Sequence, residues 1–154
     1  FDYAKKFGAD HLIDYNEKDW PKKAMEFTKG KGFNIIVDGN QGEESNHNLE
    51  IVAPGGHIIY IGATAGSSAK KVDVSKLIQK SAFVGGFNLP LLENLGERDL
   101  PEIVNKIANN KWIIPISEVV KLEEVSNLNY RFEMRKIKGR VIIRIGGELK
   151  YDTQ

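Results

Sequence analysis

Two rhythms of apolar residues alternate along this chain. Phe1, Ala4 and Phe7 share one helical face and Gly8 lets the chain turn out of it, which predicts the end of a helix over residues 1–9. His11-Leu12-Ile13-Asp14-Tyr15 then reads as a short strand. Trp20, Ala24 and Phe27 recur at i, i+4 and i+7 behind Asp19 as N-cap and Pro21 in the first turn, and Gly30 and Gly32 end that helix. Phe33-Asn34-Ile35-Ile36-Val37-Asp38 and Ile58-Ile59-Tyr60-Ile61-Gly62 are nearly continuous apolar runs, the pattern of parallel strands covered on both faces. Between them Glu43 to Val52 reads as a helix stopped by Pro54-Gly55-Gly56, so the whole forms a βαβ crossover.

The alternation continues. Ala82-Phe83-Val84 predicts a further strand ending in Gly85-Gly86. Asp99-Leu100-Pro101-Glu102 has the spacing of a helix start, followed by the stripe Leu100, Ile103, Val104, Ile107 and Ala108. A last helix is expected from about Leu122 to Lys136, with Glu123 and Glu124 in its first turn and Arg135 and Lys136 in its last, matching the helix dipole. Gly139 stops it, Val141–Ile145 is a closing strand, and the polar stretch 148–154 is a tail.

Composition narrows this picture. With 154 residues, 41% hydrophobic and 28% charged, the chain can bury one core, which excludes a disordered tail or a coiled coil. Lysine plus arginine (22) and aspartate plus glutamate (21) leave a formal charge of +1, so no basic field marks a nucleic-acid partner. Without cysteine there is no disulfide, thiol nucleophile or thiolate zinc site in these residues. No apolar run approaches the roughly 18 residues of a membrane span and no signal-peptide pattern opens the chain. The expectation is a soluble, cytoplasmic protein with neither membrane nor nucleic acid as partner. Because Phe1 opens on what reads as the end of a helix, a portion of a longer protein is also expected.

In an open parallel sheet, ligands bind beyond the carboxyl ends of the strands, where loops expose backbone N–H groups. Three successive exits here carry small residues: Asp38-Gly39-Asn40, Gly62-Ala63-Thr64-Ala65-Gly66 and Gly85-Gly86-Phe87-Asn88. At one exit glycine is mere punctuation, but three in a row favour a groove in which a flat nucleotide lies against backbone. The G-x-G-x-x-G fingerprint is absent: neither Gly30-Lys31-Gly32 nor Gly62–Gly66 has its spacing at a strand-to-helix turn. His11, His47 and His57 form no metal spacing, so no metal is assigned. Asp38 could be a general base, yet a carboxylate bonding loop N–H groups is the preferred reading. Lys70-Lys71 reads as a solvated pair, and Trp20 and Trp112 as core.

Four stretches carry a more specific signal. Lys5–Tyr15, Val37-Asp38, Asn48–Gly62 with Ala53-Pro54-Gly55-Gly56 at its centre, and Lys138–Ile143 together resemble the medium-chain dehydrogenase/reductase superfamily, closest to its quinone-oxidoreductase and zinc-type alcohol-dehydrogenase-like branch. The resemblance implies an α/β fold: a Rossmann-like doubly wound parallel sheet, incomplete because its first βαβ unit, with the glycine-rich loop, would precede Phe1. Residues 1–147 would form a partial NAD(P)-binding domain with a C-terminal closing helix and strand. The cofactor would be NADP(H) or NAD(H), bound in a full-length parent, and the substrate a quinone or an activated alkene or carbonyl. By the resemblance Tyr15 matches an adenosine-side tyrosine, although an ordinary strand-end aromatic would look the same. Ile61, Gly62, Ala63 and Thr64 match the loop under the nicotinamide ribose, and Gly85, Gly86 and Phe87 the segment whose backbone meets the carboxamide. Gly39 and Asn40 occupy the preceding exit, where Asn40 replaces the family's usual valine. No catalytic acid is named in the chain, and the zinc ligands of zinc-dependent relatives would lie upstream. The edge strand Ala82–Phe87 would pair with its twin in a homodimer.

A rival reading is a non-catalytic α/β remnant that folds or dimerises without productive nucleotide binding. Topology bears on both. In the doubly wound order the missing strands would lie between 11–15 and 33–38. Either the chain is part of a longer parent, or 11–15 is rearranged to pair directly with 33–38.

Overall fold

The computed structural model describes residues 2–64, 66, 72–91, 95–134 and 136–146. Phe1, Ala65, Lys70-Lys71, Arg135 and the 148–154 tail, for which the sequence carries expectations, lie outside the described residues. Contacts divide the chain into two compact units, Phe1–Asn94 and Leu95–Gln154. No helix among the described residues is long and apolar enough to cross a membrane.

In the first unit α1 (Asp2–Lys6) and α2 (Trp20–Phe27) precede β1 (Phe33–Asp38). A 3-10 turn at Glu43–His47 runs into α3 (Asn48–Ile51), and then come β2 (Val52–Tyr60), α4 (Val74–Lys80) and β3 (Phe83–Gly86). The strands form one parallel sheet in the order β1-β2-β3. Ile36, Ile58 and Val84 stand side by side in its register. This face carries the core: Val52 and Ile58 are 1% exposed and pack with Leu49, with Ile36, Tyr60, Leu77, Ala82 and Val84 around them. On the opposite face Ile35 and Val37 are 68% and 60% exposed. The apolar run of β1 is therefore covered on one face and not, as expected, on both.

Three local expectations change. His11–Tyr15 forms no strand, with β1 or any other described segment, because alternation alone supplies no hydrogen-bonding partner. Asp19 takes the N-cap position of α2 without a side-chain bond to the helix's backbone N–H groups; its carboxylate stands 3.5 Å from the ammonium of Lys23, a turn on in the same helix. The helix expected over Glu43–Val52 is a 3-10 turn followed by a single α turn, and the Ala53–Gly56 stretch belongs to β2. There the register jumps: Phe33 pairs with Val52, but Ile35 pairs with His57. Helix α4 has no counterpart in the expectations, although Asp73 caps it by accepting from Lys76 N at 3.2 Å. From its last turn Lys80 Nζ donates to Glu50 O (2.7 Å) and Val52 O (2.8 Å), tying α4 to the end of α3. Burial pushes that ammonium below its ordinary pKa, with Lys76 adding to the fall and Glu50 opposing it.

In the second unit α5 spans Leu95–Ala108, β4 Ile116–Lys121, α6 Val125–Glu133 and β5 Arg140–Arg144. Helix α5 begins a turn before the expected start, so Pro101 lies inside it, and Asp99 pairs with Arg98 rather than capping. The closing strand pairs in parallel with β4, a strand missing from the expectations, in a two-stranded sheet. Arg131 of α6 grips Glu118 of β4 with two bonds, of 2.6 and 3.1 Å. Trp112 is half exposed with the Lys106 ammonium over its ring, not a core residue.

Candidate functional site

The register sets the three strand exits of the first unit level with one another: Asp38 pairs with Tyr60, and Tyr60 with Gly86. Beyond them opens a cleft of about 660 Å³ lined by Gln41, Tyr60, Ile61, Gly62, Ala63, Gly86, Phe87, Asn88 and Leu91. Five of the residues singled out from the sequence, Ile61, Gly62, Ala63, Gly86 and Phe87, thus share one cavity wall. Gly39, Asn40, Thr64 and Gly85 are not among its lining residues: the first three lie in the first two exits, where Thr64 bonds Asn40, and Gly85 lies in β3. Tyr15 lies elsewhere, in a second cleft of about 410 Å³ with Trp20, Glu43, Glu44 and His47 among its neighbours.

Asp38 organises the first exit. Its Oδ1 accepts from the backbone N–H groups of Asn40 (2.8 Å) and Gln41 (3.1 Å), and its Oδ2 from Asn48 Nδ2 (2.7 Å). Burial pushes the carboxyl upward, but bonds from Ser45, the Gln41 and Asn40 N–H groups and Asn48 outweigh it and hold the pKa below the ordinary carboxylate value. A carboxylate so occupied has its lone pairs spent on the loop, which is the structural role read from the sequence rather than that of a base.

The second exit is laid against the first. Ile61 N donates to Asp38 O (2.9 Å) and Thr64 N to Gly39 O (3.3 Å), while the Thr64 hydroxyl reaches Asn40 Oδ1 at 2.9 Å. A Cβ on Gly62 would come within 3.1 Å of Gly39 O, so the approach of the two loops favours glycine there. At the third exit Phe87 N donates to Tyr60 O (2.8 Å), which carries the pairing of β2 and β3 one step past the strand end. A Cβ on Gly86 would meet nothing within 4 Å. Gly86 lines the cleft, and the absence of a side chain there leaves room for a flat group.

The sequence reading placed Asn88 in the third exit without giving it a role, and missed Gln41, Tyr60 and Leu91 as lining residues, and Ser45 and Asn48 as supports of Asp38. Gln41 has φ 51, set by the turn that Asp38 closes, and that aspartate followed by glycine was its available signal. Asn48 lies ten residues on, and no local pattern announces its bond. Among the described residues no group of three or more His, Cys, Asp or Glu stands together to hold a metal ion.

Residues 1–109 match the sequence profile of a family described as zinc-binding dehydrogenase. Over 95 residues the chain is 34% identical to the highly reducing polyketide synthase xilA of Penicillium crustosum, covering 62% of this chain and 4% of that protein. A quinone oxidoreductase of Pseudomonas syringae pv. Tomato DC3000 superposes with a TM-score of 0.76 at 27% identity, over 91% of this chain and 44% of that one. A mycobacterial protein solved in complex with NADPH superposes with a TM-score of 0.77 at 24% identity, over 91% of this chain and 45% of that one. The chain spans less than half the length of each of these proteins.

Proposed function

The chain belongs to the zinc-binding dehydrogenase family of medium-chain dehydrogenases/reductases, and from that premise we propose that it forms the nicotinamide side of the cofactor groove of an NAD(P)H-dependent oxidoreductase. The observation that carries the reading is the level row of exits at Asp38, Tyr60 and Gly86, beyond which Gly62, Ala63 and Gly86 help line a cleft large enough for a nicotinamide ribose. A neighbour of the same fold holds NADPH, and relatives named quinone oxidoreductase and highly reducing polyketide synthase support reductive chemistry. The proposed reaction of the whole protein is hydride transfer to a quinone or to an activated alkene or carbonyl.

When bound, the nicotinamide supplies the hydride. The residues of this chain bind and orient. Ile61–Ala63 form one wall of the groove, Gly86 and Phe87 offer backbone to a carboxamide, and the hydrogen-bonded Asp38 keeps the first exit rigid. Tyr15, in its separate cleft, is proposed for the adenosine side. The zinc of the family's description has no ligand set among the described residues, and no step is assigned to it.

Titration of the intact protein with NADPH and with NADH, followed by nicotinamide fluorescence, tests the reading. Binding of at least one is expected, and Gly86→Val, which adds bulk at a residue lining the cleft where a Cβ meets no other atom, should weaken it at least tenfold with the melting temperature held. Binding of neither cofactor overturns the proposal. Turnover with quinones against enones or enals then fixes the substrate class.

A further inference from the structure

The cleft wall depends on how two exit loops hold each other, and one fastening is a pair of side chains that do not themselves line the cleft. The Thr64 hydroxyl has one hydrogen for two acceptors, Asn40 Oδ1 at 2.9 Å and Gly39 O at 3.2 Å. Asn40 is held in turn, because its backbone N–H donates to Asp38 Oδ1 at 2.8 Å. Asp38 Oδ2 accepts at 2.7 Å from Asn48, which is 6% exposed. A continuous path of hydrogen bonds thus runs from a buried amide of α3 through Asp38 and Asn40 to Thr64, one residue beyond the Ile61–Ala63 wall. An apolar side chain at position 40 could pack there but could not accept from the hydroxyl.

We propose that Asn40 is a positioning residue whose side-chain oxygen fixes Thr64, and through it the Ile61–Ala63 backbone, so that cofactor affinity depends on the Asn40–Thr64 pair. The inference rests on the cofactor function proposed above. Without Asn40 Oδ1 the second exit keeps its backbone bonds to Asp38 and Gly39 and the hydroxyl only the longer reach to Gly39 O, 3.2 Å, so its swing is less limited and a ligand must order the wall as it binds.

The test is a double-mutant cycle on the intact protein, with Kd for NADPH and NADH as the readout. Asn40→Val and Thr64→Val are each expected to weaken binding about three- to tenfold, the scale of one hydrogen bond. The double variant should bind no worse than the weaker single variant, and Thr64→Ser should keep the affinity of the parent. Thr64 is exposed, so its variants keep the cycle readable should Asn40→Val fold poorly, and the melting temperature of Thr64→Val should stay at the parental value. Unchanged affinity in the single variants, or losses that add in the double, would overturn the pairing while leaving the cofactor function standing. Failure of the unsubstituted protein to bind either cofactor overturns both.

Discussion

At the scale of a residue, Asp38 shows why a carboxylate at a strand exit need not be a catalyst. Two backbone N–H groups, a buried serine and a buried asparagine converge on it, and their bonds overcome the upward push of burial. A pKa depressed in the folded state means that the unfolded chain binds the proton more tightly. The resulting stability is fully present above the ordinary value of 3.8 and is lost as pH falls through the lower folded value. Asp38→Asn should remove this acid-sensitive part, so that melting temperature falls less steeply with pH below about 4. At neutral pH the same change should destabilise by about 1–3 kcal/mol, because an amide can accept at only one of its two positions and leaves a donor unmet. Melting curves from pH 3 to 7 for both proteins check both signs. The role was legible from an aspartate followed by glycine at the end of an apolar run; the partners were not, since Asn48 reaches it across ten residues of chain.

At the scale of an element, the family-like Ala53-Pro54-Gly55-Gly56 stretch owes its composition to the start of the sheet. Between its pairings with Phe33 and Ile35, β2 advances from Val52 to His57, and the extra residues must fold tightly against β1. A Cβ on Gly56 would lie 2.7 Å from Val52 Cγ2 and 2.9 Å from both Ala53 O and Phe33 O. One on Gly32, whose φ is +81°, would lie 2.7 Å from Ala53 N and Ile51 O. Both sites are closed by backbone, which cannot step aside as a side chain can. Gly56→Ala and Gly32→Ala should each therefore cost more than about 2 kcal/mol, well above an ordinary surface change. Chemical denaturation reads this directly, with Gly30→Ala, where a Cβ meets nothing within 4 Å but φ is +78°, separating backbone strain from collision. Gly55 and Gly56 were visible in the sequence as the end of a helix, whereas the structure puts them inside β2; Gly32 stands between α2 and β1, where the sequence had it. The reason is that a helix stop and a strand crowded by its neighbour both exclude side chains. Helix α4 and strand β4 went unread for a related reason: a short cap at Asp73 and a run broken by Pro115 mean little until a partner element is known.

At the scale of the whole molecule, strand order was more legible than strand edges. Continuous apolar runs marked β1 and β2 as parallel strands, and the small residues at their exits and at that of β3 located the cleft, because both signals are local. Pairing is not local, so His11–Tyr15 read as a strand with nothing to join, and the run in β1 implied a cover that Ile35 and Val37 lack. Edges decide association. Among the described residues β3 bonds only to β2, so its outer row of backbone groups is open, and Phe83 beside it is 59% exposed. An unblunted edge of this kind favours pairing with an identical strand, and a two-fold axis makes such a pair antiparallel. The intact protein is accordingly expected to sediment as a dimer at micromolar concentration through the edge Ala82–Phe87. Phe83→Lys puts a charge where the two strands would meet, and the dimer should dissociate at least tenfold more readily with the melting temperature of the protomer little changed. A monomeric parent, or a dimer indifferent to Phe83→Lys, would remove β3 as the joining edge and leave the cleft at its carboxyl end to be judged by cofactor binding alone.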